Sequence, residues 1–325
     1  MRSRGIAFAV VVVACTLLGG GWVLIASQQA GSTTSDARVR IAKVDAEGNV
    51  LVRAVDPRDP RLNGLLSEVR LDGDAAATPV GKLACQRVYA SAGRGLCLAV
   101  APSGVDYVAR IFDSRYRVRH ELALPGLPSR ARVSPSGRWG AVTTFVSGDS
   151  YAAPGTFSTR TWLIDMRAGR QVADLEQFSL ERDGETLDVP DLNYWGITFA
   201  RDDDRFYATV STGGKRYLVE GSLDDRSLRV LRENVECPSL SPDETRLAFK
   251  KRVGAPEDWR LHVLDLATMR EHPLAETRSI DDQAEWLDDE TVMYGDGEDV
   301  WAVRADGGGR PLRLLRSADS PARMD

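Results

Sequence analysis

The chain has 325 residues, enough to bury a sizeable core as one large domain or two ordinary ones. Its 43% hydrophobic and 27% charged residues are the composition of a globular protein, which excludes a wholly disordered chain. The formal net charge is −5, and basic residues are scattered apart from the pair Lys250 and Lys251. This argues against nucleic acid as a partner, because binding there needs a basic stripe on one face.

In chain order, the first element is apolar. Residues 5–26 read GIAFAVVVVACTLLGGGWVLIA and carry no charge. A bilayer core takes roughly 20 apolar residues as a helix. Arg2 and Arg4 precede the run, and no basic residue follows until Arg38, so the positive-inside rule keeps the N-terminus cytoplasmic. Residues 1–27 are therefore expected to form a single-pass signal-anchor helix, with the remainder outside the cell membrane. Two processed alternatives stand beside this one. Cleavage near Ala26-Ser27 would release a secreted protein, and Val12-Val13-Ala14-Cys15 loosely resembles a bacterial lipidation site. Residues 28–37, QQAGSTTSDA, read as a polar linker.

From residue 38 onward helix signals almost vanish. Short alternating runs rich in β-branched residues take over, such as RVRIAKV (38–44), DYVARIF (106–112), RTWLIDM (160–166) and DVWAVRA (299–305), broken by Gly, Pro, Asp and Ser. A tight polar turn followed by a strand recurs: VDAEGNVLV, SAGRGLCLA, SPSGRWGAV, ARDDDRFYA, SPDETRLAF and WLDDETVMY. The copies start at 44, 91, 134, 200, 241 and 286, a spacing of 41 to 47 residues interrupted once by a gap of 66. A period in the forties with about four strands per unit is the signature of a β-propeller. The expected fold is all-β: six four-stranded blades over residues 38–317, with a C-terminal tail at 318–325. Leu247, Phe249, Phe206, Val292 and Tyr294 are expected to pack between blades. The strand at 38–44 is a candidate to join the last blade, and how the ring closes stays open.

The recurrent turn, as SPSG (134–137), RDDD (201–204), SPDE (241–244) and LDDE (287–290), resembles the WD40-like repeat of TolB-type propellers. The resemblance covers residues 38 to about 317. It implies a bare propeller without the α/β domain that precedes the propeller in TolB. Prolyl-oligopeptidase-like enzymes share this architecture, but no G-x-S-x-G occurs in the chain.

Cys85 and Cys97 flank the turn SAGRG, so a disulfide between them is expected; two small buried hydrophobes are the alternative. Cys237, before SPDE, reads as a small buried strand residue. His120, His262 and His272 form no metal-ligating motif, and no cofactor or metal site is expected. Asp202, Asp203 and Asp204 occupy the repeat's turn position and read as a solvated turn before a calcium site. Most of the tryptophans in or beside strands read as packing between blades. The gap of 66 places surplus residues in VSGDSYAAPGTFST (146–159) and SLERDGETLDVPDLN (179–193). Loops on a propeller rim often bind, so Tyr151, Phe157, Asp191 and Tyr194 are the rim candidates. The expected function is a monomeric, non-catalytic binding or scaffold module at the outer face of a bacterial membrane, with a protein or envelope component as partner. The alternative is an extracellular enzyme acting on glycan or peptide with carboxylates in the propeller funnel.

Overall fold

The computed structural model describes residues 40–41, 48–56, 61–71, 76–146, 158–254 and 257–324. They form six sheets arranged as the blades of a propeller. The apolar segment at 5–26 and the linker at 28–37 lie outside the described residues. Among the described residues, no helix is long and apolar enough to cross a membrane.

The second to fifth blades each begin at the channel with an innermost strand: Arg87–Ser91, Leu127–Val133, Asn193–Phe199 and Glu236–Leu240. The sixth begins with the short pair Glu285–Trp286. The tight turn of the repeat follows, then the second strand: Arg94–Val100, Trp139–Val146, Arg205–Thr212, Arg246–Arg252 and Thr291–Asp296. Third and fourth strands complete each sheet toward the outside.

The first blade takes its innermost strand from the other end of the chain. Residues 318–325, expected as a tail, instead supply Ala318–Met324, which pairs antiparallel with Asn49–Ala54, setting Leu51 opposite Ala322. Arg53 donates from Nη2 to Asp319 Oδ2 at 2.7 Å and fastens these two strands together. Closure of this kind removes the exposed ladder that an open first blade would present. Arg40–Ile41 adds to the outer edge of the last blade, with Ile41 opposite Leu315.

Two blades exceed four strands. Within the 179–193 insertion, Ser179–Arg182 lies parallel to the outer strand Ser227–Glu233 of the fourth blade, and Glu185–Thr186 folds back on it. The surplus sequence thus covers a sheet edge.

The core follows from the two-residue period. Each blade buries both faces against its neighbours, and a separate apolar cluster fills each of the six junctions. Leu247 and Phe249 lie in the cluster between the fourth and fifth blades, Phe206 between the third and fourth, and Val292 and Tyr294 between the fifth and sixth; all are fully buried. At roughly 25 cal/mol per Å² of apolar surface, such junctions supply most of the driving force.

Candidate functional site

The innermost strands of all six blades surround a central channel, and both of its ends are cavities. At the end marked by the repeat's turns, a cavity of about 380 Å³ is lined by Tyr89, Arg132, Phe199, Leu240, Glu244 and Glu285, among others. The turns around it are tied to themselves and to each other. In the fifth blade, Ser241 Oγ accepts from the Arg246 amide at 3.0 Å and Asp243 accepts from the Thr245 amide at 3.1 Å. Hydrogen bonds from Ser241 and Thr245 hold the Asp243 carboxyl down at about 2, against the opposing effect of desolvation. Between blades, Ser136 donates to Asp203 at 2.5 Å, the Arg201 amide to Glu244 at 2.6 Å and the Asp243 amide to Asp289 at 2.9 Å. Asp202 accepts from the amides of Asp204 and Arg205 at 3.0 and 2.8 Å. These carboxylates brace turns, which is why the repeat carries them.

A buried polar cluster crosses the channel. Arg132 is ion-paired with Glu285 and donates to Ser239 Oγ at 2.9 Å and to the Ala284 carbonyl at 2.6 Å. The Tyr89 hydroxyl donates to Glu285 at 2.9 Å, and the Arg132 guanidinium lies 4.5 Å from the Tyr89 ring centre. Burial pushes the Tyr89 phenol well above its ordinary pKa, and the Glu285 charge adds to this, so the hydroxyl remains a donor. Gln283 donates to the carbonyls of Ile197 and Pro238 at 3.2 and 2.9 Å. One cluster thus joins the second to the sixth blades at the axis.

At the opposite end, where the innermost strands begin, the cavity is wider, about 580 Å³. Five cationic side chains line it (Arg87, Arg130, Arg216, Lys250 and Arg252) with three carboxylates, Glu236, Glu257 and Asp281. Phe145, Trp195 and Trp259 supply its aromatic wall. Lys250 is buried, ion-paired with Asp281, and sits 4.7 Å from the Trp259 ring centre. Arg130 reaches the same Asp281 at 3.8 Å. Glu236 faces Arg216 at 3.5 Å and Arg252 at 3.7 Å, and accepts from Trp259 Nε1 at 3.1 Å. Burial holds the Arg216 guanidinium below its ordinary pKa; Glu236 pulls against this and Arg252 adds to it.

The rim candidates separate. Tyr151 and Phe157 lie outside the described residues. Asp191 accepts from Thr212 Oγ1 at 2.6 Å and from the Gly213 amide at 2.7 Å, so it pins its loop to the next hairpin. Tyr194 is not on a rim: it is fully buried in the junction of the third and fourth blades, where burial and the nearby Glu176 raise its phenol above the ordinary range. Its neighbour Trp195 lines the wide mouth instead. Cys85 and Cys97 form the expected disulfide, with Cα atoms 5.3 Å apart, linking the end of the first blade to the second strand of the second. Cys237 is buried, as read from the sequence, but on the wall of the wide mouth beside Arg130. The sequence does not mark the basic residues of this mouth as a group, because they come from four strands of four blades, with no common spacing.

No protein-family model matches the chain, and no curated protein matches it. Solved structures do. TolB from Acinetobacter baumannii is similar over 86% of this chain and 67% of its own, with a TM-score of 0.61 and 14% identity. A chain of the nidogen/laminin complex is similar over 85% of this chain and 98% of its own, with a TM-score of 0.54 and 13% identity. The fold is that of the TolB-type, WD40-like six-bladed propellers. At these identities the likeness is one of fold alone.

Proposed function

We propose that the chain is a non-catalytic, extracytoplasmic binding propeller, held at the bacterial membrane by its N-terminal apolar segment. The observation that carries the reading is the wide mouth. It is a large cavity on the axis where arginine and tryptophan side chains from several blades converge, residue types enriched among the anchors of protein interfaces. Similarity in fold to TolB and to a chain of the nidogen/laminin complex supports binding of a protein. The narrower cavity supports the non-catalytic part of the reading. Its two glutamates are both engaged: Glu285 by Arg132 and Tyr89, Glu244 by Arg205 at 3.0 Å and the Arg201 amide. Acid–base chemistry on a glycan needs a carboxyl pair poised apart in protonation rather than held in ion pairs.

The test is site-specific photo-crosslinking in intact cells. A crosslinker at Phe145 or Glu257 should trap a partner, while one at Arg119, on the outer strand of the second blade, should not. Equal yields from both positions would reject the mouth as the binding surface. Alkaline phosphatase fused after residue 325 should be active if the propeller lies outside the membrane, and inactive otherwise.

A further inference from the structure

The wide mouth is short of negative charge. Five cationic side chains face three lining carboxylates. A fourth, Asp282, stands behind and takes Arg87 at 3.5 Å. Among the described residues one positive charge is left over, and the shortage is local. Glu236 alone serves both Arg216 and Arg252, at 3.5 and 3.7 Å, longer than a good charged hydrogen bond of about 2.7–2.9 Å. Asp281 likewise serves both Lys250 and Arg130. Among the described residues, the Nε atoms of Arg130, Arg216 and Arg252 are all buried without a hydrogen-bond partner. Leaving such donors unpaired is costly, and two guanidinium groups sharing one carboxylate repel each other. An additional anion at this point would relieve both penalties.

We propose that the wide mouth recognises a carboxylate carried by an acidic peptide segment of the partner protein. The carboxylate enters between Arg216 and Arg252, and the peptide body packs on Trp195 and Phe145. The proposal rests on the binding function argued above and names its chemistry. A carboxylate fits better than a phosphate because the surplus is a single charge, whereas a phosphate monoester brings about −1.5 to −2. Arginine forks match the flat, two-oxygen geometry of a carboxylate. The aromatic wall suits a peptide rather than a bare ion.

The test is isothermal titration of the full chain with the peptide Ac-Gly-Glu-Gly-amide, its Gln analogue, butyrate and inorganic phosphate. The glutamyl peptide should bind at least about tenfold more tightly than the Gln analogue, since a charge-assisted pair is lost. It should also bind more tightly than butyrate, which has one carboxylate without the flanking backbone. Arg252→Gln should weaken peptide binding by about tenfold. It should nevertheless leave the melting temperature unchanged or higher, because Arg216 then has Glu236 to itself. Glu236→Gln should strengthen peptide binding by removing the internal competitor. Equal binding of the two peptides overturns the proposal. So does tighter binding of phosphate, or weaker binding by Glu236→Gln with a native melting profile. Crosslinks from Phe145 that persist while the two peptides bind alike would leave the binding function standing and the carboxylate chemistry refuted. Loss of those crosslinks from the wild-type chain would refute both.

Discussion

The two ends of the channel are made from the same six blades and differ in how their polar groups are used. At the turn end, Ser241, Asp243, Glu244, Asp203 and Asp289 are joined within and between blades. At the wide mouth, two carboxylates are each divided between two cations. The first arrangement braces a scaffold, and the second is the one on which the proposed carboxylate site rests. Repeat geometry occupies one end and frees the other.

Removing the cluster between them should produce the largest effect. Arg132 and Glu285 are both buried, with side chains 6% and 7% exposed. Arg132→Ala leaves a buried glutamate unpaired and should cost about 3–5 kcal/mol. Chemical denaturation would measure it. Replacing both, as Arg132→Met with Glu285→Gln, should recover much of that loss. If it does not, the cluster holds the blades by more than charge compensation.

The next effect belongs to the wide-mouth end alone. The disulfide joins cysteines 12 positions apart, just before the strand that carries Arg87. Replacing both cysteines by serine should lower stability by about 3 kcal/mol from chain entropy alone. Binding at the mouth should weaken with it if Arg87 depends on that anchor.

Acid–base behaviour gives a third contrast. Asp243 at the turn end is held at about 2, whereas Glu176, in the single helical turn Leu175–Gln177, is pushed up to about 10. Burial dominates the Glu176 shift, and the hydrogen bond and charge of Asp174 add to it. A carboxyl raised in the folded state stabilises below its unfolded pKa of about 4.5, and the contribution is lost as pH rises toward 10. Stability should therefore fall between pH 6 and pH 7.5, by roughly 2 kcal/mol. Glu176→Gln should flatten that slope. An unchanged slope would assign it to another group.

The same contrast explains what the sequence shows and hides. The turn end is written in the repeat, so SPSG, RDDD, SPDE and LDDE count the blades and place their packing residues. The closing strand is hidden because innermost strands crowd the axis. ADSPARM buries only Ala318, Pro321 and Ala322, and carries no apolar alternation. Tyr194 is buried while Trp195 reaches the mouth, at a place where a register shift follows Trp195 and Gly196, at φ +66°, backs onto Cys237. Adjacent side chains already face opposite sides of a strand; the bulge decides which of the pair reaches the channel. The wide mouth itself has no motif, since Arg130, Arg216, Lys250 and Arg252 sit on three different blades.

Asp191 provides the smallest and most discriminating test. As a rim binder it should matter to a partner and little to stability. As placed, its carboxylate accepts from Thr212 and Gly213, which hold it below the ordinary aspartate range. Asp191→Ala removes two charge-assisted bonds at a part-exposed site, where water replaces most of their value, so the expected loss is about 1 kcal/mol. Partner crosslinking from the wide mouth should not change. Asp191→Asn keeps one acceptor and should fall between. A fall in crosslinking with stability intact would move the partner outward from the axis onto the loop, and the division of labour between the two channel ends would then have to include a third surface.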